Sequence, residues 1–312
     1  MASTIRDVAQ TANVSIATVS RYLNQVGNVS KETAQKIDLA VKKLNYHSKK
    51  WSPRINKNKN ILVIFPSITN PFYSELFSQL VKQLNGYQYS TILQIDNDMN
   101  HSIDYYIKKI KDGEISGIIT SSPLKTLQHD YSDFPIVSFD RKIHKTIPIV
   151  ESNNLDGGFK IAQKILSLGC KNILIISGNQ MDYFPLNDRI KGMLKVFNYY
   201  GVHVKTAYTD FESSIINRKI QIAQIINNQS YDAICCTDDL TALLVKEHTH
   251  QMSYFPVITG FDGSQLVSNL FPDLLSVNQN ISEIATQLIN ICFQSIQNSE
   301  KDIHKIIPIH LR

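Results

Sequence analysis

Two hydrophobic patterns divide this 312-residue chain at about residue 60. Before that position, apolar side chains recur three or four residues apart, which is the spacing of short amphipathic helices. After it, short apolar runs alternate with longer amphipathic stretches: Ile61–Phe65, Thr91–Ile95, Gly117–Thr120, Pro135–Phe139, Ile173–Ser177, Asp232–Thr237 and Pro256–Gly260. Such alternation predicts α/β structure with parallel, doubly wound sheets, and the number of runs predicts two lobes.

The first helix is predicted to start at a capping box formed by Thr4 and Asp7. Asn13 tolerates the left-handed conformation of a tight turn after that helix. Ser15 can then cap a second helix, and Ser30 a third. The inward side chains of the three helices are predicted to be Ile5, Val8, Ala9, Ala12, Val19, Leu23, Ala34, Ile37, Val41 and Leu44.

The outward residues of the second helix are Ile16, Ala17, Thr18, Ser20 and Arg21, most of which are small or polar. Two helices joined by a tight turn, with small polar residues at the start of the second, form the helix-turn-helix plan that enters the DNA major groove. There Arg21 can pair with guanine, and short hydroxyl side chains let phosphates approach. The residues alone leave open a plain helical hairpin whose hydroxyls serve only as caps.

Charge separates the same two regions of the chain. Residues 1–60 hold eleven Lys and Arg against three Asp and Glu, a net charge of +8, whereas the remainder carries −3. A cationic head on a weakly anionic body predicts a polyanion as the partner of the head alone.

Composition narrows the classes of protein to which the chain can belong. With 43% hydrophobic and 19% charged residues, the chain is expected to fold as two or three domains. It has no apolar run of about 18 residues and no signal-peptide pattern, so we expect a cytoplasmic protein with no membrane partner. Four cysteines without CxxC spacing fit a reducing compartment. Since motifs for nucleotide, phosphate, zinc or acyl chemistry are missing, we expect no enzyme, no cofactor and no metal.

Polar loops follow the predicted strands, at the edge where parallel α/β sheets bind ligands. Carboxylates and guanidinium groups bind sugar hydroxyls, and aromatic rings stack on the apolar face of a sugar. These loops contain Asn70, Phe72, Tyr73, Asp140, Arg141, Asn187, Arg189, Asp238 and Asp262. Each alone can be a helix cap or a core residue, but their shared placement predicts a sugar site.

The first segments resemble the headpiece of the LacI/GalR family of transcriptional repressors. The matching stretches are TIRDVA at 4–9, VSIATVSRYLN at 14–24, VS at 29–30 and LNY at 44–46, with Asn13 where the family often has glycine. The resemblance implies base contacts from Ile16, Ala17 and Arg21. It implies backbone contacts from Ser15, Thr18, Asn24 and Ser30. Thr4 and Ser20 complete the predicted DNA surface.

The resemblance continues through NPFY at 70–73, NLDGG at 154–158, DRIKG at 188–192, TDD at 237–239, GFD at 260–262 and SVNQ at 276–279. It implies a two-lobed body of the periplasmic-binding-protein type I. Phe72, Arg189, Asp238 and Asp262 are the leading effector contacts, followed by Asn70, Tyr73, Asp140, Arg141, Asn187 and Gln279. SFDR at 138–141 with NDR at 187–189 is more similar to sucrose-operon repressors than to purine regulators.

Residues 47–60 are predicted to form a hinge. In the family a short helix places a wedge side chain in the minor groove here, and Ile55 aligns with that wedge. Pro53 would disrupt a helix that began near Lys49. Ser52 and Pro53 instead suit an N-cap and a first helical position, which predicts a shorter helix from Pro53. A flexible basic linker is the equal alternative.

We expect a headpiece at 1–46 and a body at 61–312. One lobe takes about 61–150 and 279–306, the other about 151–278 and 307–312, with crossings near Ile149–Ser152, Leu275–Asn278 and Ile306–Ile309. The resemblance implies a homodimer on a palindromic operator, in which a sugar or phosphosugar effector shifts the lobes and thereby the spacing of the paired headpieces.

Other classes stay open at this point. A periplasmic sugar receptor shares the two-lobed body but has no helix-turn-helix headpiece. A regulator that uses a purine, a phosphosugar or a partner protein as corepressor, or one that ignores small molecules, shares the headpiece. The residues name neither the effector nor the sign of its effect on DNA binding.

Overall fold

The computed structural model describes residues 4–23, 29–44, 58–96, 101–126, 130–178, 185–211, 213–226, 229–251, 255–297, 299 and 303–312. Contacts divide the chain into two units, Met1–Ser52 and Pro53–Arg312. Most of the predicted hinge lies outside the described ranges, so the hinge helix and the wedge at Ile55 stay predictions. None of the described helices is long and apolar enough to cross a membrane.

The first unit contains α1 (Ile5–Ala12), α2 (Ile16–Leu23) and α3 (Lys31–Lys43) in its described ranges. Thr4 and Asp7 form the predicted capping box, in which the Thr4 backbone N–H donates to the Asp7 carboxylate at 2.7 Å. Asn13 ends α1 with a φ of 53°, the left-handed turn that the sequence predicts. A small core joins the helices through Val8, Ala9, Ala12, Val19, Ile37 and Ala40.

The second unit alternates strands and helices along the described chain. In order they are β1 (Asn60–Phe65), α4 (Pro71–Gly86), β2 (Ser90–Ile95), α5 (Ile103–Lys111), β3 (Gly117–Thr120), β4 (Ile136–Phe139), β5 (Ile149–Ser152), α6 (Asn154–Ser167), β6 (Asn172–Ser177), α7 (Pro185–Tyr199), β7 (His203–Tyr208), α8 (Ile215–Ile226), β8 (Ala233–Cys236), α9 (Asp239–Gln251), β9 (Val257–Asp262), α10 (Gln265–Leu270), β10 (Leu275–Gln279), α11 (Ile281–Ile296), β11 (His304–Ile307) and β12 (Ile309–Leu311).

Two six-stranded sheets form the described part of this body. The first has the order β11-β5-β4-β3-β1-β2, and all its neighbouring strands are parallel. The second has the order β12-β10-β9-β8-β6-β7. Central strands such as β1 and β6 are buried almost throughout, because helices cover both faces of a doubly wound sheet. The predicted fold class is confirmed.

One strand departs from the prediction of purely parallel sheets. β12 pairs with β10 in the antiparallel sense, with His310 opposite Asn278. β10 leaves the second sheet towards the first, whereas β12 enters it from β11 across Pro308 alone. A single residue does not allow the chain to turn back, so β12 keeps the direction of β11 and runs into the second sheet, against the direction of β10. The second sheet is therefore mixed at that edge.

The edge strands show why β7 is absent from the predicted runs. Along β7 (HVKTAY) the more exposed and less exposed positions mostly alternate. β2 (STILQI) has the same burial pattern, but Ile92, Leu93 and Ile95 keep its apolar run recognisable in the sequence. A strand at a sheet edge is covered less completely, so its apolar run is interrupted by polar residues.

The chain passes between the sheets after β5, after β10 and between β11 and β12, at the three places predicted. In the first two crossings the strand ends in one lobe and the next helix packs on the other. The residues directly after β4, β9 and β10 therefore meet between the lobes, at the carboxyl ends of their strands.

Helices α6 and α7 pack closely because glycine occupies both sides of their contact. A Cβ atom at Gly158 would overlap the carbonyl oxygen of Arg189, and one at Gly192 would overlap the carbonyl oxygen of Leu155. Fully buried side chains continue the contact along the two helices: Ile161, Ile165, Met193 and Phe197. This packing holds the start of α7, and with it the backbone of Arg189.

Gly158→Ala is expected to lower the free energy of unfolding by about 1–3 kcal/mol, because the added methyl group forces the helices apart. Urea denaturation followed by circular dichroism measures the loss. The matched control is Gly86→Ala at the end of α4, where a Cβ atom meets nothing within 4 Å. The control should lose no stability, and a Gly158→Ala loss below about 0.5 kcal/mol would show that the contact tolerates a side chain.

Candidate functional site

The outer face of α2 carries most of the predicted DNA contacts. Ser15 caps the helix, because the Thr18 backbone N–H donates to Ser15 Oγ at 3.0 Å. Ile16 is 46% exposed, and Ala17 and Arg21 are exposed as well. On the opposite side of α2, Val19 is fully buried. The inner side chain thus anchors the helix and leaves these residues accessible.

The other predicted DNA contacts are partly accounted for by helix ends. Thr4 belongs to the capping box, and Ser30 caps α3 by accepting from the Thr33 backbone N–H at 3.3 Å. Ser20 is half-buried on α2. A hydroxyl group that caps a helix keeps further hydrogen-bonding capacity, so a phosphate contact is compatible with these bonds. Asn24 and Ile55 lie outside the described residues.

Arg189, on α7, is the centre of a buried polar cluster in the body. Its side chain is 4% exposed. Its Nε donates to Asn154 Oδ1 at 2.8 Å, and its Nη1 donates to the carbonyl oxygen of Thr237 at 2.6 Å and to Asp262 Oδ1 at 3.2 Å. Its Nη2 lies 3.8 Å from Asp140 Oδ2. Acceptors therefore bind the Nε and Nη1 groups of the guanidinium, and the Asp140 carboxylate faces its Nη2 group at ion-pair distance.

These partners come from both lobes. Asp140 follows β4 of the first sheet, whereas Asp262 ends β9 of the second. The guanidinium also lies over the ring of Phe261, with its central carbon 3.7 Å from the ring centroid. The tertiary structure thus unites Asp140, Arg189 and Asp262, as predicted from their loops, and connects the lobes through one charged group.

Backbone conformation directs the two carboxylates. Asp140 has a φ of 52° and Asp262 a φ of 118°, values that residues with a side chain rarely adopt. Asp140 accepts from the Ser152 backbone N–H at 3.0 Å and from Asn154 Nδ2 at 3.1 Å. Asp262 accepts from Gln279 Nε2 at 2.8 Å, and Gln279 Oε1 accepts from Ser152 Oγ at 2.5 Å. Gln279, also predicted, therefore joins the cluster.

Burial changes the acidity of the carboxyl groups in this cluster. It raises the pKa of Asp140 to about 6, although the charge of Arg189 opposes the shift. Burial also raises the pKa of Asp262 well above its ordinary value and that of Asp239 to about 6. Carboxyl groups that titrate close to neutrality can accept hydrogen bonds when ionised and donate one when protonated, which suits a polyhydroxy ligand.

Of the two aromatic residues that follow β1, Phe72 lies in the core and Tyr73 lies at the cleft. Phe72 is 4% exposed, and its ring stacks on Phe139 with centroids 5.5 Å apart, so it lies in the core of the first lobe. Tyr73 is half-buried, its hydroxyl group lies 3.1 Å from Ser121 Oγ, and burial raises its pKa. Arg141 Nε donates to the carbonyl oxygen of Ser121 at 3.1 Å. Tyr73 and Arg141 therefore both contact Ser121.

Three predicted contacts sit at helix starts. Asn70 Oδ1 accepts from the Phe72 backbone N–H at 2.8 Å and caps α4. Asp238 Oδ1 accepts from the Thr241 backbone N–H at 2.9 Å at the start of α9. Asn70 and Asp238 therefore both cap a helix, which is the alternative to ligand binding that the sequence left open for these loop residues. Asn187 is half-buried on α7, two residues before Arg189.

The sequence analysis did not predict two residues of this region, Asn154 and Asp239, as site residues. Asn154 binds both Arg189 and Asp140, and it stands first in the NLDGG segment, directly after a crossing strand. Asp239 accepts a hydrogen bond from Ser276 Oγ at 2.6 Å. In the sequence, only its place in the TDD segment indicates a functional role. A position immediately after a lobe crossing was the signal available for Asn154.

A helix-turn-helix unit attached to a two-lobed α/β body, with a buried polar cluster where strand ends meet, defines the architecture of a DNA-binding regulator with a ligand domain. The model of bacterial regulatory proteins of the lacI family matches residues 4–49. The model of periplasmic binding proteins and the sugar binding domain of the LacI family matches residues 58–310. The chain belongs to the LacI family.

Comparisons with individual proteins agree with this family and this fold. The chain is 31% identical to the sucrose operon repressor of Lactococcus lactis subsp. lactis over 98% of each protein. Its fold matches a periplasmic binding protein/LacI transcriptional regulator from Alkaliphilus metalliredigens QYMF, complexed with D-xylulofuranose, with a TM-score of 0.70, 24% identity, and coverage of 82% of this chain and 97% of that one. It also matches the Lac repressor dimer bound to operator, with a TM-score of 0.67, 19% identity, and coverage of 100% and 98%.

Acidification from pH 7 to pH 5 is expected to stabilise the body through Asp140. Its folded-state pKa of about 6 lies above the value of about 4 for an exposed aspartate, so folding takes up a proton in this window. Asp140→Asn removes that uptake, and the change in unfolding free energy between the two pH values should shrink by on the order of 1 kcal/mol.

Urea denaturation at both pH values tests this expectation. Asp112→Asn, an exposed position, is the control and should keep the wild-type pH dependence. If Asp140→Asn also keeps it, Asp140 does not titrate in this range.

Proposed function

We propose that this chain is a transcriptional repressor of a carbohydrate-utilisation operon, which binds operator DNA as a homodimer and changes its DNA affinity when a sugar binds between the lobes. The observation that carries the proposal is the Arg189 cluster, in which a guanidinium and two carboxylates from separate lobes meet beside an aromatic ring. Groups of this kind bind sugar hydroxyls and the apolar face of a sugar ring.

The DNA-binding role rests on the first unit. The exposed face of α2 presents Ile16, Ala17 and Arg21, and family members bind DNA through this segment. Entry of α2 into the major groove would bring Arg21 to base edges, while the caps Ser15 and Ser30 would face phosphates. The net charge of +8 over residues 1–60 supplies the attraction to the DNA backbone.

A sugar is the favoured effector because the relative with 31% identity is a sucrose operon repressor. The relative and the SFDR and NDR segments support the sucrose-repressor branch. The effector site would comprise Arg189, Asp140, Asp262 and Gln279, with Tyr73 and Arg141 from the first lobe. Asn70 on the first lobe and Asn187 and Asp238 on the second remain part of the proposed site, whereas Phe72, which fills the core of the first lobe, is withdrawn from it.

Coupling to DNA would arise from the lobe arrangement. Asp140 and Arg189 face each other across the lobes at 3.8 Å, and the Gln265 backbone N–H of α10 donates to Glu75 of α4 at 2.6 Å. A sugar that binds one arrangement of these groups better than another shifts the population towards it. In a dimer, the two headpieces then match their half-sites differently.

Exposed apolar side chains support a homodimer. Ile216 on α8 is 71% exposed and Ile220 is 51% exposed, and Ile92 and Ile95 are exposed on the edge strand β2. Apolar side chains on an exposed helix or edge strand gain burial when a partner covers them. We propose that a second copy covers them, that the protein acts in the cytoplasm, and that it has no catalytic role, as for its repressor relatives.

Calorimetric titration of the full chain with sucrose, fructose, ribose, glucose 6-phosphate and adenine tests the effector class. Each compound is titrated with and without an operator selected by the wild-type protein from random duplexes. We expect one of the sugars to bind and to change operator affinity. If none binds, or if only adenine does, the sugar assignment fails.

Arg189→Ala is expected to abolish sugar binding and the sugar response of operator affinity, because it removes the donor shared by the lobes. Operator affinity without sugar should stay close to wild type, since the headpiece is a separate unit. The matched control is Lys191→Ala on the same helix, where the side chain is 64% exposed. Thermal melts show that both variants fold, and a normal response in folded Arg189→Ala would exclude Arg189 from the site.

Arg21→Ala is expected to reduce the preference for operator over unrelated duplex by about 1–3 kcal/mol, because a bidentate base contact is lost. Fluorescence anisotropy with the selected operator and a scrambled duplex measures the preference. Binding to both duplexes should weaken steeply with salt as counterions return to the phosphates.

The control for this variant is Lys36→Ala on α3, an exposed cation paired with Glu32. It should leave the ratio of the two affinities unchanged. Equal loss for operator and scrambled duplex in Arg21→Ala would reassign Arg21 to phosphate contact.

A further inference from the structure

Arg218, on α8, is a buried cation outside the Arg189 cluster. It is 4% exposed, and it takes part in none of the ion pairs of the described residues. Its Nε also has no hydrogen-bond partner within the described part of the chain. Because a buried charge without a paired carboxylate is costly, the contacts that keep Arg218 in place need a reason beyond packing.

Arg218 contacts one aromatic ring and one hydroxyl group. Its guanidinium carbon lies 4.6 Å from the centroid of the Phe211 ring, and its Nη2 donates to Thr241 Oγ1 at 2.7 Å. A guanidinium can only donate, so the Thr241 hydroxyl accepts from Arg218 and gives its own proton elsewhere. Asp238 takes that proton and also the Thr241 backbone N–H. Arg218 thereby keeps the Thr241 hydroxyl directed at Asp238.

Both contacted groups stand at the carboxyl edge of the second sheet, where Arg189 is anchored. Asp238 follows Thr237, whose carbonyl oxygen accepts from Arg189. Phe211 packs on Gly178, directly after β6, where a Cβ atom would lie 2.7 Å from the ring. Ligands of parallel α/β sheets bind at this edge. The ring and the carboxylate therefore belong to the same side of the cleft.

We infer that Arg218 is a positioning residue of the effector cleft, which holds the Phe211 ring and the Asp238 carboxylate at a fixed separation. A sugar ring uses both groups, because its apolar face stacks on an aromatic ring while its hydroxyls donate to a carboxylate. Arg218 acts through Phe211 and Thr241 and makes no contact with the sugar. This role rests on the proposed sugar-binding function.

Fluorine NMR of the full chain, labelled with 3-fluorophenylalanine, reports on the ring without any ligand. The Phe211 signal is assigned with Phe211→Leu. Arg218→Met removes the cation and keeps an apolar stem, and it should shift and broaden the Phe211 signal. Arg218→Lys keeps a cation and should restore much of the wild-type signal.

The matched control for the NMR experiment is Lys219→Met, the neighbouring exposed cation that pairs with Glu247. It should leave the Phe211 signal unchanged. An unmoved Phe211 signal in Arg218→Met would overturn the inference.

Calorimetric titration with sucrose, fructose, ribose and glucose 6-phosphate then measures how well the cleft binds each compound. For the sugar that the wild type binds, Arg218→Met and Thr241→Val should each weaken affinity roughly tenfold or more, with operator affinity in the absence of sugar within about twofold. Arg218→Lys should recover part of the loss.

Unchanged sugar affinity in Arg218→Met refutes the positioning role and leaves the proposed function standing. If the wild type binds none of these sugars, the proposed function fails, and the fluorine signal still decides whether Arg218 holds Phe211.

Discussion

A buried guanidinium is costly to remove from water unless acceptors and opposite charges stabilise it. Arg189 finds these groups where parts of both lobes converge: it donates to Asn154 and to Asp262 of the second lobe, and it lies 3.8 Å from the Asp140 carboxylate of the first lobe. The positive-φ backbone at both carboxylates, the close α6–α7 contact through glycine and the Gln279–Ser152 bond all support this convergence. The residues that meet between the lobes are therefore the ones that stabilise this buried charge.

The same arrangement explains how a small molecule could affect distant DNA. Groups that bridge the lobes are also the groups best suited to sugar hydroxyls, so ligand binding and lobe arrangement draw on the same hydrogen bonds. The headpiece contributes its own small core and helix caps, which makes its reading surface independent of the ligand. In the homodimer that we propose, a change in the placement of the two headpieces is enough to change the DNA affinity.

Local sequence patterns predicted many elements of the structure correctly. The incorrect or missing predictions share one cause, because they concern residues whose burial or direction depends on the tertiary surroundings. The capping box at Thr4, the left-handed turn at Asn13 and the buried central strands depend on neighbours in sequence, and the structure agrees with each. Edge strand β7 was missed because partial burial interrupts its apolar run, and antiparallel β12 because its direction follows from a one-residue connection. Phe72 shows the same limit, since a ring after a strand can line a cleft or fill a core, and here it stacks on Phe139.

From the sequence alone follow the helix-turn-helix unit, the alternation of strands and helices and the loops that hold polar residues, because periodicity and capping are short-range properties. The lobe crossings were expected from the family resemblance. Only the tertiary structure decided which of those polar residues meet. Asn154, Asp239 and Arg218 have no distinguishing local pattern, and their roles come from partners 14 to 37 positions away. Hydrogen bonds and burial between distant segments select the members of a site, and those contacts exist only once both lobes have packed.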